Sequence, residues 1–170
     1  MDNSLDNDNQ GFLLSPQQRR VWIQKENTNP AVVGYLIVDE TNAELIKQRF
    51  DHLVACFEVF RTEFRADAAM TFPLQFVNER GNGSLEIRDN SIPNIDVLVS
   101  EASERTFNGL EQLHWTCLQP LSNGSFGVVT AQSALINDAR GVALFLHYLT
   151  DATVSPVSYT HLRAHETLLD

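Results

Sequence analysis

SALINDARG, Ser133 to Gly141, closes a β-like run and opens a helical one, with Asn137, Asp138 and Arg140 at the junction. Upstream, LHWTCLQ and SFGVVTAQSA read as two strands around SNGS, where Asn123-Gly124 is a strong hairpin signal. Downstream, Asp138 to Leu149 places Val142, Phe145, Leu146 and Leu149 on one helical face, with Asn137 or Asp138 as N-cap. A strand–turn–helix junction of this kind suits an active site and equally suits a helix cap with charged neighbours.

Outward from this junction the other elements follow. VVGYLIVDE, Val32 to Glu40, is a β-branched run of strand length. TNAELIKQRFDHLVACFEVF predicts a helix: Thr41 and Glu44 form a capping box, and Ile46, Phe50, Leu53, Val54 and Phe57 recur at helical spacing. SPQQRRVWIQKEN predicts a short helix with Ser15 as cap, Pro16 at its first position and Gln18 as capping-box partner. FRTEFRAD, Phe60 to Asp67, alternates as a half-buried strand does, and PLQFVNE and SLEIRD are further strands separated by Gly81 to Gly83. Asp96 to Phe107 reads as a helix. The order β-α-β-β-β-α-β-β-α, with largely antiparallel pairs, points to an α+β layered sandwich.

Composition narrows the functional classes. The chain has 170 residues, with 12 Lys and Arg against 22 Asp and Glu for a net charge of -10. Sequence-independent nucleic-acid binding needs clustered basic residues and is excluded. No apolar run reaches membrane-spanning length, and the polar start MDNSLDNDNQ is unlike a signal peptide, so the expected compartment is the cytoplasm. Cys56 and Cys117 lack ligand or disulfide-framework spacing and are expected to be packed thiols.

The two ends are set apart. Residues 1–10, with three Asp and three Asn, read as a disordered leader or linker. Asp6 to Gly11 echoes a calcium loop, but Gln10 and Gln17 stand where acidic ligands belong. Val157 to Thr167, VSYTHLRAHET, resembles the in-frame translation of a sequencing-library adaptor, so residues 156–170 are expected to be artefactual. His161 and His165, at i, i+4 spacing, are accordingly not read as a metal pair, and no metal is expected. On this reading the natural sequence stops near Ser155.

Three stretches together resemble the condensation domains of nonribosomal peptide synthetases. SPQQRRVW is similar to the family's S-x-A-Q-x-R-[LM]-[WY], with Ser15, Gln18, Arg20 and Trp22 matching and Gln17 replacing Ala. CFEVFRTEF is similar to R-H-E-x-L-R-T-x-F, with Glu58, Arg61, Thr62 and Phe64 matching and Cys56 and Phe57 replacing Arg-His. SALINDA falls where the family carries H-H-x-x-x-D-G: Ser133 and Ala134 occupy the two His positions, Ala139 the Gly position, and Asp138 survives. Met70 to Val77, MTFPLQFV, resembles the strand region of a subgroup whose third motif reads A-L-x-x-D.

The resemblance implies a chloramphenicol-acetyltransferase-like fold of two lobes, with residues 11–155 as the N-terminal lobe and the C-terminal lobe missing. It implies amide-bond formation between a donor thioester and an aminoacyl acceptor, both carried on phosphopantetheine arms, with no cofactor bound directly. Carrier proteins and an adenylation domain are the implied partners. The second His would position or deprotonate the attacking amine, a role Ala134 cannot fill, and His52, His114 and His147 are alternative bases. Asp138 is implied to pair with Arg61 in an architectural clamp. The expected function is therefore a fragment of a condensing enzyme, inactive by itself, or else a degenerate module that docks carriers or a tailoring partner. An acyltransferase with a soluble acceptor ranks last, because it would need a catalytic His.

Overall fold

A computed structural model of the chain describes residues 11–24, 31–39, 43–66, 69–81, 83–107 and 112–150. Residues 1–10, Thr41 of the second capping box, and the 156–170 stretch with His161 and His165 lie outside the described residues. In chain order the elements are α1 (Pro16–Gln24), β1 (Ala31–Val38), α2 (Ala43–Cys56), a 3₁₀ turn (Glu58–Arg61), β2 (Thr62–Arg65), β3 (Leu74–Val77), β4 (Ser84–Ile87), α3 (Asp96–Glu104), β5 (His114–Pro120), β6 (Phe126–Ser133) and α4 (Ala139–Thr150).

The main sheet has the order β1-β6-β5-β4, and β2 and β3 form a separate antiparallel pair. β1 and β5 both run antiparallel to β6. β4 is parallel to β5, which makes the sheet mixed but largely antiparallel, as expected. The physical cause is the connection: α3 lies between β4 and β5 in the chain, and a helical crossover returns the chain in the same direction.

β5 and β6 are buried on both faces, which explains why their sequences do not alternate cleanly between apolar and polar. On one face Leu118 and Val128 join Phe50 and Leu53 of α2 and Phe145, Leu146 and Leu149 of α4. On the other, Trp115, Cys117, Val129 and Ala131 pack with Leu98 and Ala102 of α3. Each fully buried side chain of this size contributes roughly 1.5–3 kcal/mol. α4 approaches β1 at Gly34, where a Cβ would stand 2.5 Å from Val142 Cγ1. The β5–β6 hairpin turns at Gly124, which adopts φ 89° while Asn123 Oδ1 accepts from the Ser125 N–H at 3.1 Å.

Helix α2 ends earlier than its periodicity predicts. Phe57 is extended, at φ −107° and ψ 113°, and the chain re-enters a 3₁₀ turn that buries Phe60. Phe60 there packs on Phe145, 5.0 Å between ring centroids, a tertiary contact that the continued helix would have turned away. β1 is an edge strand, AVVGYLIV, without charge or proline, and it exposes Tyr35, Leu36 and Ile37.

A polar bracket holds β4, β5 and α3 together. Arg88 donates from its two terminal nitrogens to both carboxylate oxygens of Glu101, at 2.7 and 2.8 Å, and from Nε to Glu86 at 2.7 Å. Arg105 shares Glu101 at 2.9 Å and stacks 3.7 Å from the Trp115 ring centroid, while Trp115 Nε1 donates to Glu86 at 3.0 Å. The hydrogen bonds from Arg88 draw the Glu101 carboxyl down to about 2, with Arg105 adding to the effect and burial opposing it. Partial exposure of all four charged groups screens the pairs, so the bidentate geometry sets their worth more than their number. Arg88→Met is expected to lower unfolding free energy by about 1–2 kcal/mol in denaturant titrations at low salt, with a smaller loss in 1 M NaCl.

Candidate functional site

The junction after β6 is built from backbone and buried polar side chains. Ser133 N donates to Leu113 O at 2.8 Å, and the Ser133 carbonyl accepts from Ile136 N and Asn137 N at 3.0 and 3.1 Å. Ser133 Oγ accepts from Leu135 N at 3.2 Å, so this buried hydroxyl shapes the turn. Asn137 Nδ2 donates to Gln132 Oε1 at 2.7 Å, Gln132 Nε2 donates to Thr130 Oγ1 at 3.3 Å, and Thr130 and Thr116 hydroxyls meet at 3.0 Å. This chain of hydrogen bonds runs from the sheet interior to the start of α4. Ala134 is half-buried and offers only a methyl group.

The first motif grips this turn directly. Ser15 and Gln18 form the expected capping box: Ser15 N donates to Gln18 Oε1 at 2.8 Å, and Gln18 N donates to Ser15 Oγ at 3.2 Å. The remaining amide nitrogen of Gln18 donates to Leu135 O and to Gln75 Oε1, both at 3.1 Å. Trp22 and Val21 pack with Leu135 and Ile136, and Phe64 and Val59 of the second motif join the same apolar cluster. All three motif stretches therefore meet in one place, through apolar packing and the Gln18 amide. Arg20 is exposed. Glu58 is exposed as well, its carbonyl accepting from Thr62 Oγ1 at 2.9 Å.

The predicted Arg61–Asp138 clamp is not formed. Asp138 is exposed and its Oδ1 accepts from Gly141 N at 2.8 Å, a helix N-cap. Arg61 Nη1 donates to Asn78 O at 2.7 Å, and its buried Nε has no hydrogen-bond partner. The strand-end carbonyl after β3 takes the guanidinium, while the Gly141 N–H in the first turn of α4 takes the carboxylate. Sequence reading missed the Gln18–Leu135 bond and the Thr116–Thr130–Gln132–Asn137 chain. The one available signal for the latter was polar Thr and Gln recurring at alternate positions of a strand otherwise apolar.

The three candidate bases differ sharply. His52 and His147 are exposed, on α2 and α4. His114 is 2% exposed on β5, opposite Gln132 in the strand register. Its ring lies 5.2 Å from Phe60 and 5.9 Å from Phe50 between centroids, and Gly83 approaches so closely that a Cβ there would sit 1.7 Å from Cε1. Burial pulls His114 down to about 4, opposed by the backbone of Phe60. That backbone contact falls short of hydrogen-bond geometry, and both ring nitrogens are without partners. The imidazole is thus held neutral between the Phe50 and Phe60 rings.

No family model and no curated protein matches the chain. Solved structures do, and they define the fold as that of condensation domains. The first condensation domain of the CDA synthetase is 18% identical with a TM-score of 0.69, over 84% of this chain and 39% of that one. The starter condensation domain of the rhizomide synthetase RzmA is 12% identical with a TM-score of 0.67, over 82% of this chain and 38% of that one. The condensation domain of the monacolin K polyketide synthase MokA is 13% identical with a TM-score of 0.59, over 71% and 29%. The chain thus spans well under half of each of these structures.

Two measurements check the site. In a double-mutant cycle, Asp138→Ala alone is expected to cost about 1 kcal/mol, and its effect should add to that of Arg61→Ala within about 0.5 kcal/mol. A coupling of several kcal/mol would instead restore the clamp. The second concerns pH. The fold holds His114 neutral while the unfolded chain binds a proton at ordinary imidazole pH, so its contribution is intact above pH 6.5 and is lost as pH falls to about 4. The wild-type chain should lose about 3 kcal/mol more across this window than His114→Leu, read from denaturant melts at stepped pH.

Proposed function

We propose that this chain is the N-terminal lobe of a condensation domain of a nonribosomal peptide synthetase. On this reading residues 1–10 are a leader or linker, residues 11–155 are the lobe, and residues 156–170 are adaptor-derived. The complete protein joins an acceptor amine to a donor thioester, both delivered on phosphopantetheine arms by carrier proteins, with an adenylation domain supplying the aminoacyl group. The observation that carries this reading is the convergence of the Ser15–Trp22, Glu58–Phe64 and Ser133–Asp138 stretches on one turn, through Gln18 and the shared cluster around Leu135 and Ile136.

The amine nitrogen attacks the thioester carbonyl, the carbon–sulfur bond breaks, and the phosphopantetheine thiol leaves while the nitrogen loses a proton. A general base typically contributes ~10²–10⁴ in rate, and Ala134 cannot supply it. Holding two tethered reactants in line is worth roughly 7–11 kcal/mol in favourable cases, so positioning is the mechanism this turn supports. The Ser133 hydroxyl, engaged with Leu135 N, and the Gln18 amide, on Leu135 O, hold the turn rigid. Asp138 caps α4 and stays out of the reaction.

The second reading is a module of the same fold that docks carriers without turnover; the methyl group at Ala134 is the observation that favours it. One experiment separates the two. The domain completed with its second lobe is mixed with donor- and acceptor-loaded carriers, and mass spectrometry follows the acceptor arm. Condensed product above the no-domain control is expected. Carrier binding without product would establish the docking module, and neither product nor binding would overturn both readings.

A further inference from the structure

The two edges of the main sheet differ in how they meet solvent. β4, at one edge, is four residues long and carries Glu86, with Arg88 directly after it; short length and charge both discourage another strand from joining. β1, at the other edge, runs for eight residues without charge or proline. Its ladder to β6 continues from Ala31 opposite Ser133 to Val38 opposite Phe126 with no bulge. Among the described residues β1 pairs with β6 alone, so no described strand lies along its outer row of backbone groups. Tyr35, Leu36 and Ile37 are 51%, 38% and 51% exposed. We propose that β1 pairs antiparallel with β1 of a second copy of this chain, forming a closed two-fold dimer with one sheet running through both copies.

A second copy is the occupant that the strand itself fits. In an antiparallel ladder successive residues turn their backbone groups alternately toward and away from the partner, so every second residue of β1 offers its N–H and C=O outward. Two copies can join only with like members of this alternation opposite each other, which puts a residue on the two-fold axis. Centred on Leu36, the pairing sets Leu36 against its counterpart and Tyr35 against Ile37, so all three exposed apolar side chains meet across the seam. Centred on Tyr35, it would set Leu36 against Gly34 and leave that contact unmade. Val32 and Val38 join the core under α2 and α4, whereas Ala31 and Val33 join the core under α3. By the same alternation Leu36 meets its counterpart on the α4 face, and Tyr35 meets Ile37 on the α3 face.

Charge is compatible with this register. Asp39, the first residue past the strand, falls opposite Val33, and no like charges oppose each other from Val33 to Asp39. Each copy carries a net charge of -10, which opposes approach at long range, so the pair should tighten as salt screens it. This inference is independent of the condensation reading, since it uses neither the turn after β6 nor a carrier.

The test is sedimentation velocity on the whole chain at rising concentration, in low and high salt. The mass is expected to climb from 19.1 kDa to twice that value and stop there, with the dimer favoured at high salt. Leu36→Lys sets like charges directly opposite each other and should raise the dissociation constant about tenfold or more with an unchanged circular dichroism spectrum; Leu36→Glu should do the same. Mixing these two variants should restore a dimer with one copy of each, which mere loss of apolar surface would not allow. Should either fail to fold, mixing Tyr35→Glu with Ile37→Lys makes the same test, because those residues face each other in this register. A chain that stays at 19.1 kDa throughout would overturn the proposal and leave the edge to a different partner. Growth beyond a dimer, an unaltered dimer in Leu36→Lys, a looser one at high salt, or no dimer in the mixture would each overturn it too.

Discussion

Two-sided burial of the β5–β6 hairpin is the constraint on which the rest of the structure depends. Because both faces of these strands are covered, α2 and α4 lie on one side and α3 on the other. The buried polar groups then have few options. Thr116, Thr130 and Gln132 cannot reach water, so they bond to one another and extend to Asn137, which fixes where β6 stops and α4 starts. The geometry of the candidate site is a by-product of satisfying polar groups in a strand with no solvent face.

The site is therefore rigid where it meets the sheet and chemically spare where it meets solvent. Ser133 spends its hydroxyl on the turn, Asn137 on Gln132 and on the following backbone N–H, and Asp138 on the helix start. Ala134 contributes nothing polar. What the turn retains is a fixed shape braced from α1 by Gln18, and shape is the property that positioning requires.

Much of the fold was legible in the residues. The Asn123-Gly124 turn, the Ser15–Gln18 box, the apolar stripe of α4 and the β-branched run of β1 all express local chemistry, and they appear where their sequences place them. The end of α2 was less legible, because Phe60 leaves the helix to reach Phe145 and only the folded chain supplies that partner. The Arg61–Asp138 pairing failed for a related reason. A guanidinium takes the acceptor its neighbours present, and the Asn78 carbonyl is presented by the path of the chain after β3, which no local pattern encodes. The burial of His114 was not legible either, since a strand covered on both faces hides its polar members as completely as its apolar ones.

The register of β1 bears on how the chain reaches this state. β1 pairs only with β6 within the described sheet, Ala31 opposite Ser133 and Val38 opposite Phe126, so the first described strand waits for one almost a hundred residues later. Such distant pairing makes for slow assembly, because loop closure must precede the contacts that reward it. During translation the uncharged AVVGYLIV segment stands without its partner, open to other chains emerging nearby. Pairing with β6 is what covers one edge of that segment.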